Sequence, residues 1–148
     1  MAKQEQQGGA AVAQEVKPEK LISVYPSLHY RLKRGAKQVV QVDGRYREIV
    51  TDKGVSLHFR KCVAEVHPDE MKDLRTRDRY GLEYMSLSDW RKLYQSKDKE
   101  EKRSAQEFFR AVKNNLRQSP PEADANLRKD DRALNAYMAK VFEVETLE

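Results

Sequence analysis

Cysteine is almost missing from this chain. Cys62 is the only one in 148 residues, so no internal disulfide can form. The expected setting is a reducing cytoplasm, or a particle assembled there. Long apolar runs are missing too. No window approaches the ~18 consecutive apolar residues of a membrane span, and the first residues lack the apolar stretch of a signal peptide. No membrane partner is expected. Apolar residues make up only 39% of the chain and charged residues 36%. An average globular domain has roughly 45–50% and about 25%. The core must therefore be modest, with much of the chain in water. The length suits one domain with appendages.

The motifs of common chemistries are missing as well. There is no Walker sequence, no dinucleotide fingerprint, no H-E-x-x-H and no G-x-S-x-G. His58, Cys62 and His67 invite a metal reading, but their spacing fits no common zinc pattern and a fourth ligand is lacking. His67 precedes Pro68 and is expected at a helix N-cap. Cys62 alternates with Ala64 and Val66, so it is expected in a strand at a core position, where a thiol is inert. Asp69, Glu70 and Asp73 crowd one short helix, with nothing there to raise a carboxylate pKa by burial. The expectation is a chain that is not an enzyme, with no catalytic residues, cofactor or metal.

What the chain does have is alternating charge. Its net charge is +5. Residues 21–60 hold eight bases and three acids, and residues 86–119 hold nine and five. Residues 61–85 and 120–148 are net acidic, with five bases against six acids and four against seven. This fits docking to something acidic, and it also fits internal pairing.

Residues 1–20 are rich in Gln, Ala and Gly and contain no aromatic residue. Such a stretch cannot bury enough apolar surface to offset its ordering entropy, so a flexible arm is expected. Residues 21–37 read as extended, with Ile22 and Val24 alternating, a break at Pro26, then Leu28, Tyr30 and Leu32. Asp43-Gly44 between β-branched runs signals a hairpin over Gln38–Val50. Val40, Val42, Tyr46 and Val50 share even parity. That predicts a three-residue bulged loop placing Val40 opposite Tyr46. Thr51-Asp52-Lys53-Gly54 is a second turn candidate. Val55, Leu57 and Phe59 then face one way, with Ser56, His58 and Arg60 the other. The parity changes after Arg60, so a bulge or strand break is expected near Arg60-Lys61.

The rest reads as helical. Pro68, Asp69 and Glu70 open a short helix that should end near Arg79 or Gly81. Ser86 and Asp89 form a capping box before Leu87, Trp90 and Leu93/Tyr94. A long helix is expected from about Lys97 to Gln118, burying Ala105, Phe108, Phe109, Val112 and Leu116. Ser119-Pro120-Pro121-Glu122 should stop it and cap a last helix carrying Ala123, Leu127, Leu134, Tyr137 or Met138, and Val141. The predicted class is α+β. A small antiparallel meander of three or four strands is followed by three or four helices. The organisation is arm 1–20, meander with short helix 21–85, and helical region 86–148.

Two basic surfaces stand out. At about 100° per residue, Lys99, Lys102, Arg103, Arg110, Lys113 and Arg117 fall within roughly a 100° arc of the long helix, with no acid among them. Such a ridge can bind phosphates or an acidic protein groove. A solvated face paired with acids of the last helix, such as Asp130 and Asp131, explains the same pattern. The second surface is Tyr25, His29, Arg31, Lys33, Arg34 and Lys37, where aromatics interleave with cations and can stack bases. Tyr30, in the parity of Leu28 and Leu32, is expected to be a core anchor.

The segment from Val42 to Met85 resembles small proteins encoded among the structural genes of tailed bacteriophages. In these a Gly-turned hairpin leads to an acidic-capped helix ending in Leu-Arg and to a Tyr-Gly pair. The matching elements here are Asp43-Gly44, Asp69-Glu70, Leu74-Arg75 and Tyr80-Gly81. The usual pattern is more compact, and the Val55–Val66 strand and two C-terminal helices are additions to it. The resemblance implies a virion component without catalysis near the capsid or the head–tail neck. Its partners would be other virion proteins and copies of itself, in a particle assembled in host cytoplasm. The resemblance transfers no site residues. The alternative is a small basic nucleic-acid-binding protein using both basic surfaces.

Overall fold

The computed structural model describes residues 16–50, 56–118 and 130–145. The fold is α+β. Strands β1 (Glu19–Ser23), β2 (Ser27–Arg31), β3 (Lys37–Val42), β4 (Arg45–Val50), β5 (Ser56–Arg60) and β6 (Val63–Val66) come first. A 3-10 turn (Pro68–Glu70), α1 (Met71–Arg75), β7 (Tyr84–Ser86), α2 (Leu87–Tyr94), α3 (Lys99–Arg117) and α4 (Asp131–Phe142) follow. Five strands form one antiparallel sheet in the order β2-β5-β6-β1-β7, while β3 and β4 form a separate ribbon. This is more than the three or four strands expected. Strand β1 joins beside β6 and β7 beside β1, both at the same end of the sheet.

The sheet separates two apolar layers. Leu21, Phe59, Ala64, Val66 and Tyr84 face Met71 and Leu74 of the α1 region. Ile22, Cys62 and Met85 face Trp90, Val112, Leu116, Met138 and Phe142 of the helices. Consecutive residues Leu21 and Ile22 are thus both fully buried, because β1 lies between neighbours and is covered on both faces. Its N-terminal half corrects the arm boundary. Glu19 and Lys20 pair with Val66 and Glu65, and the Val16 N–H donates to Tyr46 O. Val16, Glu19 and Lys20 therefore belong to the fold, since neighbouring strands use their backbone groups. The rest of the expected arm lies outside the described residues, as do the 51–54 turn, Val55, the 119–122 stop, Ala123 and Leu127.

The Asp43-Gly44 hairpin forms, but in a different register. Val42 pairs with Arg45 and Val40 with Arg47, while Tyr46 pairs with Gln41. The loop has two residues, with φ of 53° at Asp43 and 78° at Gly44. Both central residues are left-handed, as a type I′ turn requires, and its twist matches that of the strands. Val40 and Tyr46 lie on opposite faces of the ribbon, which overturns the bulged loop. The parity argument assumed one buried face. This ribbon stands off the main sheet, and Val42, Ile49 and Val50 are exposed. Its attachments are polar. Tyr46 Oη donates to Glu65 at 2.6 Å, and His67 Nε2 meets Glu48 at 2.7 Å. The Lys37 N–H donates to the buried Glu70 carboxylate at 2.7 Å.

The break after Arg60 is a second two-residue turn. Arg60 pairs with Val63, and Lys61 and Cys62 have φ of 50° and 72°. Cys62 is buried as expected, but in this turn and not in a strand. Its N–H donates to Pro26 O and its carbonyl accepts from Ser23 N–H, which hold the strained turn in place. His67 does cap the 3-10 turn, its Nδ1 accepting from Asp69 N–H. The helix after it stops at Arg75, short of Arg79, because the Thr76 and Arg77 N–H groups turn back to Asp73 and Leu74.

Candidate docking groove between the second and third helices

α2 begins at Ser86, whose Oγ accepts from Asp89 N–H at 3.1 Å. Only this half of the expected capping box forms. The Ser86 N–H donates to Tyr80 Oη, and the Asp89 carboxylate is turned to Arg75 Nε at 2.9 Å and to the Tyr80 hydroxyl. Trp90 and Tyr94, four residues apart on one face of α2, stack at 4.7 Å with 13° between their planes. The Trp90 indole N–H donates to Ala105 O at 2.9 Å, joining α2 to α3.

α3 matches its expected span to within two residues and buries Ala105, Phe108, Val112 and Leu116. Phe109 is half-buried and packs on Phe142 with centroids 4.8 Å apart. The helices are tied to the sheet by polar contacts. Asn115 Nδ2 donates to Val24 O at 2.5 Å, and the Tyr137 hydroxyl to Lys61 O at 2.6 Å. α4 ends against cations, with Lys20 Nζ on Val141 O and Arg91 Nη1 on Glu143 O. They satisfy carbonyls that helix geometry leaves open.

A groove of about 390 Å³ runs between α2 and α3. Trp90, Tyr94 and Phe109 form its wall, and Gln106, Arg110, Lys113, Asn114 and Arg117 its rim. The six-cation ridge is thereby divided. Arg110, Lys113 and Arg117, at i, i+3 and i+7, border the groove. Lys99, Lys102 and Arg103 lie on the N-terminal half of the helix, at least 10 Å further along at ~1.5 Å per residue. Arg117 also reaches Asp131 at 3.2 Å, and Arg103 reaches Glu100 at 3.9 Å. Helix pairing thus accounts for part of the ridge. Arg110 and Lys113 have no ion pair among the described residues. No carboxylate, imidazole or thiol is among the groove's lining residues. Its chemistry is that of an aromatic wall beside fixed positive charge.

The second expected surface is not one surface. Lys33 and Lys37 turn to the α1 side, Lys33 meeting Glu70 at 3.7 Å and Lys37 meeting Asp69 at 2.7 Å. The Asp69 pairing holds the Lys37 ammonium above its ordinary pKa, and the same contact holds Asp69 below its own. Arg34 is engaged within the fold. Tyr25 stands exposed at the β1–β2 corner, its N–H bonded to Ser23 Oγ. Tyr30 tilts against Tyr84 at 4.6 Å, and burial raises its hydroxyl pKa. His29 and Arg31 alone remain together, on the solvent side of β2.

Sequence reading placed Trp90 and Tyr94 on an apolar helix face and did not connect them to the ridge. The usable signal was their i, i+4 spacing next to a helix with Phe109 at the border of its apolar stripe. Among the described residues no three or more His, Cys, Asp or Glu side chains converge as metal ligands, and no helix is long and apolar enough to cross a membrane. No family model, curated protein or solved structure matches the chain.

Proposed function

We propose that this chain is a non-enzymatic docking component of a bacteriophage particle, capsid- or neck-associated, which takes an acidic segment of another virion protein in the α2–α3 groove. The groove carries the reading. Its volume is within the range of ligand sites, and Tyr94 and Phe109 line it beside Arg110 and Lys113, which have no ion pair among the described residues. Apolar side chains of a partner would lie on Tyr94 and Phe109, and its carboxylates would meet the rim. An exposed ion pair contributes only about 0.2–1 kcal/mol, so the aromatic wall must supply much of the affinity and the charges the choice of partner.

The particle is suggested by the resemblance of Val42–Met85. Its elements have structural roles in this fold. Asp43-Gly44 turns the ribbon, Asp69 and Glu70 anchor Lys37, and Leu74 is buried under the sheet. The test is assembly with the double variant R110E/K113E. The purified variant should unfold at the wild-type temperature, since Arg110 is exposed, Lys113 is half-exposed and neither has an ion pair among the described residues. Assembled particles should lack it. Incorporation at the wild-type level would remove the groove from this account.

A further inference from the structure

We propose that the open half of the main sheet is a nucleic-acid surface, formed by His29 and Arg31 of β2 with His58 and Arg60 of β5. This inference is independent of the groove. The register places all four on one face. His29 is directly opposite His58, Arg31 opposite Ser56, and Arg60 opposite Ser27. The same face continues through Val63, Ile22 and Met85, paired across β6, β1 and β7. The helices cover that apolar part. They leave β2 and β5 uncovered, where Ser27, His29, Arg31, Ser56, His58 and Arg60 are all exposed.

This half-face has no acid on β2 or β5. The nearest carboxylate of the face, Glu65 on β6, is bonded by the Tyr46 hydroxyl. Arg31 and Arg60 have no ion pair among the described residues. The imidazoles of His29 and His58 stack at 4.1 Å with 16° between their planes. A metal ion is a poor occupant of this pair, because the guanidinium groups on either side repel a cation. The two guanidinium groups favour an anion, and imidazole N–H groups can donate to it.

The length of the patch suits a polyanion. Arg31 and Arg60 are four residues apart along the paired strands, about 14 Å at the strand rise, with one strand spacing between them. A chain of phosphodiesters can follow that diagonal from one end to the other. Arginine forks match phosphate oxygens, the Ser56 and Ser27 hydroxyls opposite them can donate to the same backbone, and the planar imidazoles between the two ends offer a surface on which a base can lie.

The test is fluorescence anisotropy of a labelled oligothymidylate about 12 nucleotides long with the full chain. The wild type should bind at low salt, and the R31Q/R60Q variant should bind about tenfold more weakly. Loss of two phosphate contacts should also lower the salt slope by about 1.4, at ~0.7 per contact for single strands. H29Q/H58Q, which keeps the arginines but removes the ring stack, should weaken binding with a smaller change of slope. R110Q/K113Q should bind as the wild type does, which separates this surface from the groove. Three results would overturn the proposal. These are no binding at low salt, R31Q/R60Q binding unchanged, and loss of binding in R110Q/K113Q instead. Equal affinity for polyglutamate of the same charge would reassign the face to an acidic protein.

Discussion

Asp89 receives Arg75 Nε at 2.9 Å and the Tyr80 hydroxyl while its own N–H caps α2 on Ser86. Burial would raise its pKa, but the hydrogen bonds and charge of Arg75, with Tyr80 and Ser86, outweigh it and hold the carboxyl below the ordinary aspartate range. The unfolded chain therefore takes up this proton more readily. The stability the carboxylate contributes is present above the unfolded pKa, near 4, and is lost as pH falls through the lower folded value. Asp89→Asn should lower stability by about 1–2 kcal/mol at pH 7. Urea unfolding at pH 7 and pH 3 should show that deficit narrowing in acid. A deficit that stays constant would contradict the assignment. Burial alone pushes the Cys62 thiol up to about 12. Alkylation at pH 8 should consequently proceed only as the chain unfolds, and fast labelling of the native protein would contradict its place in the core. Cys62 is buried as its apolar neighbours suggested, but on the helix side of the sheet, opposite the face of Ala64 and Val66 whose parity it was read with. Its place in a turn was not legible, because no glycine marks a left-handed turn at Lys61-Cys62.

Elements with one apolar stripe were legible, and elements without one were not. α3 carries its apolar residues at regular helical spacing, so its span and buried face could be read directly. The β3–β4 ribbon buries neither face fully, so its alternation carried no register and the turn chemistry decided. Gly44 at φ 78° meets nothing within 4 Å of an added Cβ, so only backbone strain opposes a substitution there. Gly44→Ala should cost about 1–2 kcal/mol, measured by thermal unfolding, and a neutral effect would mean that the I′ turn is wrong. Trp90→Phe removes the indole N–H bond to Ala105 O and part of the stack on Tyr94. It should destabilise the chain by about 1–3 kcal/mol and loosen α2 on α3, seen as faster amide exchange in both helices.

In the whole molecule, both proposed surfaces come from pairings that no single segment announces. β2 and β5 are neighbours although the β3–β4 ribbon lies between them in sequence, and that pairing joins His29 and Arg31 to His58 and Arg60. The expected basic surface at residues 25–37 was assembled along the chain, where the fold instead splits it between two sides of the sheet. The cationic ridge was legible as a helical arc, yet its aromatic counterpart needed α2 to be placed beside α3. The α2–α3 groove is proposed to receive an acidic, partly apolar partner. Trp90 is the only tryptophan in the chain and, though fully buried, stacks directly behind Tyr94 in the groove wall, so its fluorescence should respond to occupancy. Titration with a peptide of alternating glutamate and phenylalanine should give a saturable change in Trp90 emission that weakens with salt and disappears in R110E/K113E. An unchanged emission spectrum, or an identical titration of the double variant, would contradict the account.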